Sequence, residues 1–199
     1  MNRIAVAAIV EGHGEQQSAV RTLVSRIWTE LLGGDFAHVL PIRRPRHTVV
    51  KPAELLKAID LADLKLAALQ GYDVKLILVL LDADDDRPCE LGPQLLNVAR
   101  RERSHLPISV VIANVEFETW FVGAAASLSA YFELDGTTVS TDPEGARQGK
   151  GTVLKLTHGR YGETVDQPRF SAMMDLAECR RRCPSFDKLC RELSKYINV

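Results

Sequence analysis

At 199 residues the chain is long enough for one domain with a real core, and 46% apolar against 26% charged residues is the balance of a soluble globular protein. A formal net charge of −1 excludes a globally basic nucleic-acid binder, so any such surface has to be a local patch. No apolar run approaches the ~18 residues of a membrane span, so no membrane association is expected.

The chain opens on "RIAVAAIV", continuous, apolar and β-branched, the pattern of a strand buried on both faces. It is too short and leads too quickly into charge to be a secretion signal, so a cytoplasmic location is expected. The four cysteines, Cys89, Cys179, Cys183 and Cys190, then read as reduced structural thiols; no CxxC pair or nearby His completes a zinc site. "EGHGE" is a Gly-rich turn. Apolar residues at Val20, Leu23, Val24, Ile27, Trp28 and Leu31 give a helix from Glu15 to Leu32, stopped by "GGD". "FAHVLPI" is the second strand, and the basic, Pro-broken "RRPRHTVVKP" after it is expected to be a loop.

A second helix runs from Pro52 to Leu69 and ends at Gly71. "DVKLILVLL" is the strongest strand of the chain. "GPQLLNVARRER" is a helix with Pro93 near its first turn, and "PISVVIAN" is a fourth strand. "VEFETWFVGAAASLSAYF" keeps helical spacing, with Phe117, Trp120 and Phe121 as core residues. From Glu133 to Gln167 the pattern fades, and a long insertion or loop region is expected. Two helices broken at Pro184 close the chain, with Ser185 as a candidate cap and Phe186 as a core anchor. Arg180, Arg181 and Arg182 suit the dipole at a helix end. Strands alternating with helices predict an α/β fold: one domain over 1–199, a mainly parallel sheet flanked by helices, and extra C-terminal helices.

Three predicted strands end in acid. Glu11 follows the first, Asp82, Asp84, Asp85 and Asp86 the third, and Glu116 and Glu118 the fourth. Sites in open α/β sheets form beyond the carboxyl ends of strands, so these acids are expected to converge if the three strands are neighbours. Two carboxylates ~4 Å apart repel by roughly 4 kcal/mol at an effective dielectric near 20. Either the acids point into water, as Asp-rich turns and helix caps do, or a cation sits among them. An all-oxygen donor set favours Mg²⁺, Mn²⁺ or Ca²⁺ over zinc. Asp82 and Asp84 share a face if the strand continues and are better ligands than Asp85; Asp86 is intermediate.

Basic residues lie near the same expected edge. Arg43, Arg44 and Arg46 follow the second strand and are candidate phosphate or nucleic-acid contacts. Lys150 and Lys155, in "GKGTVLKL", are further candidates, Lys150 as a catalytic cation neutralising charge on phosphorus. His13 is a weaker candidate base. The glycines beside it either shape a plain turn or bring backbone N–H groups towards a phosphate, and they match neither a Walker loop nor a dinucleotide fingerprint.

A lone Glu after strand one and a DxD after a later strand resemble the Toprim fold of topoisomerases, primases, small nucleases and the overcoming-lysogenization-defect nucleases. The wider set "VEGHGE", "LLDADDD", "NVEFETWF", a late Lys and a C-terminal "SF" resembles a bacterial Toprim-like group, domain of unknown function 4276, over nearly the whole chain. The resemblance implies that Glu11, Asp82 and Asp84 bind Mg²⁺ (or Mn²⁺), with Glu11 as acid or base. Glu116 and Glu118 match the group's own E-x-E-T-W motif, and their assistance as metal ligands, like that of Asp86, is inferred.

The leading expectation is divalent-metal-dependent phosphodiester hydrolysis on DNA or RNA by Glu11, Asp82, Asp84 and Lys150. A separate ATPase partner in a phage-defence system fits with it, since no ATPase motif is present; a homo-oligomer is also compatible. The rivals are a non-catalytic regulatory partner of an ATPase with a structural cation, and a phosphoryl-transfer enzyme for a small substrate.

Overall fold

The computed structural model describes residues 2–12, 14, 18–132, 141–145 and 149–197. Four strands, β1 (Arg3–Val10), β2 (Phe36–Arg43), β3 (Val74–Asp82) and β4 (Ile108–Ala113), form one sheet in the order β2-β1-β3-β4. All three pairings are parallel. Parallel strands need covered faces, and both faces here are covered. Ile4 to Val10 have no exposure at all, as the unbroken apolar run requires.

On one face Ala5, Ala7, Ile9, Ile77, Val79 and Val110 pack beneath α3 (Pro52–Ala67) and α4 (Pro88–Glu102). The alternate residues Val6, Ala8, Leu76, Leu78 and Val111 pack on the other face, beneath α1 (Val20–Arg26) and an aromatic group built from Trp28, Phe117, Trp120, Phe121, Phe170 and Phe186. The fold is thus α/β and Rossmann-like, with the period-two alternation of each strand dividing its side chains between two cores. No helix among the described residues is long and apolar enough to cross a membrane.

Several boundaries differ from the sequence expectation. The basic segment after β2 is not a loop throughout: α2 (Arg46–Val49) makes one turn there. Helix α4 begins at Pro88, so Pro93 sits in its second turn rather than its first. The continuous helix expected after β4 is broken: α5 (Thr119–Gly123) is followed by a 3₁₀ turn, Ala125–Leu128. Its apolar side chains are buried on all sides by later helices, so spacing alone overstated its length. The region expected to be unpatterned contains α6 (Gly149–Leu156) and the start of α7 (Glu163–Met173). The first of the two closing helices is split by Asp175, whose carboxylate accepts from the Glu178 N–H at 2.8 Å and caps α8 (Leu176–Arg182); α9 (Pro184–Ser194) begins at the expected break. Ser185 lies inside α9, where its hydroxyl accepts from Trp120 Nε1 at 2.8 Å instead of capping the helix.

Candidate functional site

Strand order reverses between β1 and β3: the chain leaves β1 for β2 on one side and returns to β3 on the other. Such a switch point opens a crevice beyond the strands' carboxyl ends. Glu11 follows β1 there and Asp82 closes β3, with β4 next in line. The three acid-bearing strands are therefore consecutive neighbours, as the acid pattern requires.

The ends of β3 and β4 are stitched together. Ala83 N donates to Ala113 O at 3.0 Å, Asp84 N donates to Val115 O at 2.9 Å, and the Asp82 carboxylate accepts from Phe117 N at 2.8 Å. Asp84 and Val115 both adopt left-handed backbone, with φ of 49° and 64°. Asp tolerates that region; a β-branched Val there is strained. The strain re-aims both loops, and a cleft of about 370 Å³ lined by Asp84, Asp85, Val115 and Glu116 opens between them.

Arg46, a candidate phosphate contact on sequence grounds, is turned inward. Its guanidinium donates to the carbonyls of Asp82 and Ala83, each at 2.9 Å, and to the Asp86 carboxylate. It also pairs with Asp84 at 3.4 Å. One planar fork thus satisfies two strand-end carbonyls and offsets two of the acids, which a lysine cannot do in the same geometry. This is how the acidic loop holds its shape.

Glu11 is only partly satisfied. Its Oε2 is buried with no hydrogen bond among the described residues. Burial and then the charge of Asp84 push its carboxyl up to about 7, against the opposing pull of Arg46. Arg43, paired in register with Val10 at the end of β1, leaves its own Nε buried and unbonded among the described residues. An orphan carboxylate oxygen and an orphan guanidinium donor therefore stand at one sheet edge. Arg44 is half-buried beside them, its backbone N–H donating to Val10 O at 2.7 Å.

The E-x-E pair divides. Glu116 Oε2 accepts from the Lys150 backbone N–H at 2.6 Å and so anchors the start of α6. Glu118, 4% exposed, points the other way and accepts from Tyr161 Oη at 2.8 Å and Gln167 Nε2 at 3.1 Å. Burial raises its pKa. Lys150 Nζ pairs with Glu163, and Lys155 is exposed at the end of α6. Gly149 makes the approach of α6 possible: a Cβ there would lie 2.7 Å from Thr119 N. His13 lies outside the described residues.

Among the described residues no three His, Cys, Asp or Glu side chains are close enough to hold a metal ion together. The donor chemistry nevertheless suits a hard cation, since every candidate ligand is a carboxylate and the buried Glu11 Oε2, repelled by Asp84, has no hydrogen bond among the described residues. Tyr161, Gln167, Glu163 and Thr119 were not singled out by sequence reading. They stand in weakly patterned or apolar stretches, and no local motif marks them.

Residues 10–194 match the model of a family described as a domain of unknown function, DUF4276. No curated protein and no solved structure matches the chain.

Proposed function

The chain belongs to the DUF4276 family, and on that footing we propose that the crevice beyond β1, β3 and β4 carries out divalent-cation-dependent phosphodiester hydrolysis in the manner of a Toprim domain. The observation that carries the reading is the placement of Glu11, with its unbonded buried oxygen, at the switch point beside Asp82 and Asp84.

Glu11, Asp82 and Asp84 would hold Mg²⁺ or Mn²⁺, with Glu116 and Asp86 nearby and Glu118 held behind them by Tyr161 and Gln167. Mg²⁺ commonly takes one or two protein carboxylates and keeps waters, so the cation would draw the rest of its shell from solvent. When bound, the cation would lower the pKa of a water and polarise the phosphate. In the cation-free protein the Glu11 carboxyl is pushed up to about 7; a cation bound beside it would bring that value down, so Glu11 would serve either as a ligand or, outside the cation's shell, as the acid or base. Arg43 supplies a buried donor for a phosphate oxygen, with Arg44 beside it. Arg46 acts as a positioning residue, because its donors are taken by the acidic loop. Lys150, tied to Glu163 and to Glu116, is the candidate cation facing the substrate from α6.

Arg46 also favours a second reading. An acidic loop already offset by a guanidinium can stand without a metal, as a non-catalytic partner of a separate ATPase would require. Cleavage of labelled single-stranded DNA, duplex DNA and RNA with Mg²⁺ or Mn²⁺ separates the two. Hydrolysis lost in Asp82→Asn, with the melting temperature kept, supports the enzyme. Asn retains an oxygen for the Phe117 N–H, so the fold is expected to survive. No hydrolysis by the wild type with each substrate supports the partner, and equal hydrolysis in the variant removes Asp82 from the chemistry.

A further inference from the structure

We propose that the substrate of the crevice is a polynucleotide, and that its sugar-phosphate backbone leaves the crevice along residues 43–51, past Arg43 and Arg44 to Lys51. This rests on the hydrolytic reading of the adjoining site and adds to it a polymer as substrate and the surface that holds the flank of the strand. "RRPRHTVVK" carries four basic side chains, one imidazole and no acid, in a chain of formal net charge −1. It leaves the sheet at the crevice, since Arg43 ends β2 in register with Val10, the residue before Glu11.

Pairing separates one of these cations from the rest. Arg46 is taken up by Asp84 and Asp86. Arg43, Arg44 and Lys51 form no ion pair among the described residues. Glu54, the acid that follows the segment, is already held by Lys57 at 2.7 Å. The row is graded: Lys51 and His47 are exposed, whereas Arg44 and Arg43 are half-buried, so the cations recede from solvent towards the crevice. At its inner end the Arg43 Nε is buried without a hydrogen bond among the described residues.

The three unpaired cations do not converge on one point. The charge of Arg43 reaches Glu11: burial and Asp84 push that carboxyl up, and Arg43 is among the cations opposing the rise. The charges of Arg44 and Lys51 reach Glu54 in the first turn of α3, whose carboxyl is drawn down first by its hydrogen bond to Lys57 and further by these two. The one-turn helix α2 lies between Arg44 and Lys51. A small phosphate ester seated at Glu11 therefore engages Arg43 and leaves the other two without an anion. A backbone with a phosphate at every nucleotide, ~3.4 Å apart along each strand of a duplex, supplies one to each. No Phe, Tyr or Trp stands in the segment to stack on a base, so it holds backbone and reads no sequence. An acidic protein would meet the same charges but brings no phosphodiester to the crevice, which decides for a polynucleotide.

The test is fluorescence anisotropy of labelled single-stranded DNA, duplex DNA and RNA with the full chain over a series of salt concentrations, in chelator so that cleavage does not compete. The variants are Arg44→Ala, Lys51→Ala and, as a control, Lys65→Ala, which removes an exposed cation at the far end of α3. The expected result is binding of at least one of the three that weakens with salt. Arg44→Ala and Lys51→Ala each lower the affinity at least about threefold, by the same factor for two unrelated base sequences, and reduce the slope of log K against log salt by about one. Lys65→Ala leaves both unchanged, and all three variants keep the wild-type melting temperature. No binding, an equal loss in Lys65→Ala, or poly-glutamate held as tightly as nucleic acid would overturn the proposal. Hydrolysis of bis(p-nitrophenyl) phosphate with Mn²⁺ by the wild type is measured beside it. Diester hydrolysis without polymer binding overturns this proposal and keeps the hydrolytic reading. Binding with the stated losses, but no hydrolysis of polymer or diester, keeps the surface and overturns that reading instead.

Discussion

Glu11 is held near pH 7 because burial strips its water and Asp84 repels its charge, with Arg46 pulling the other way. Its folded value of about 7 lies above the ordinary 4.5, so the folded state keeps a proton that the unfolded chain has released between those values. Its contribution to stability is full below that ordinary value and is lost as pH rises through the folded one. Urea midpoints in chelator should fall across this window, and Glu11→Gln should flatten the fall in part, since Glu118 shifts in the same direction. An unchanged slope in the variant would remove Glu11 as its source. Arg46 makes a different prediction. Arg46→Ala unpairs two strand-end carbonyls and two carboxylates, and should cost about 2–3 kcal/mol, of which Arg46→Lys recovers only part. A loss below ~0.5 kcal/mol by denaturant titration would refute its organising role. At this scale the acids were legible because like charge after a buried strand needs a reason. The inward turn of Arg46 was not, because its acceptors are backbone carbonyls of a strand far away in sequence.

Helix α6 depends on one glycine. Gly149→Ala would bring a Cβ to 2.5 Å from Thr119 Oγ1 and 2.7 Å from its N–H nitrogen, so the helix must shift. The expected cost is about 1–3 kcal/mol by urea titration, whereas Lys155→Ala, on the exposed end of the same helix, should be within ~0.5 kcal/mol of wild type. Equal effects would show that the packing of α6 on α5 does not matter. The left-handed Val115 makes the opposite prediction: Val115→Asn relieves the backbone and should stabilise by roughly 1 kcal/mol, read the same way. Strands β1, β3 and β4 were legible from their apolar runs, and α3 from its Pro52 start and its Gly71 stop at φ 77°. Helix α6 was not, because "GKGTVLKL" carries two glycines and its helical state rests on packing against α5 rather than on propensity. The break at Asp175 was hidden inside a run with continuous helical character.

For the molecule as a whole, the parallel α/β class followed from alternation, but the order β2-β1-β3-β4 did not, since alternation is equally compatible with other orders. That order brings the ends of β1, β3 and β4 side by side and sets Glu11 next to the acidic loop. The central claim is that this juxtaposition holds a divalent cation. The measurement that tests it most directly is the melting temperature against Mg²⁺ and Mn²⁺ for wild type and Asp82→Asn, because a ligand of the folded state raises stability by mass action. The account predicts a saturable rise in the wild type that the variant loses. Identical responses in the two proteins, or no response in either, would contradict it and leave the acids to Arg46 and water.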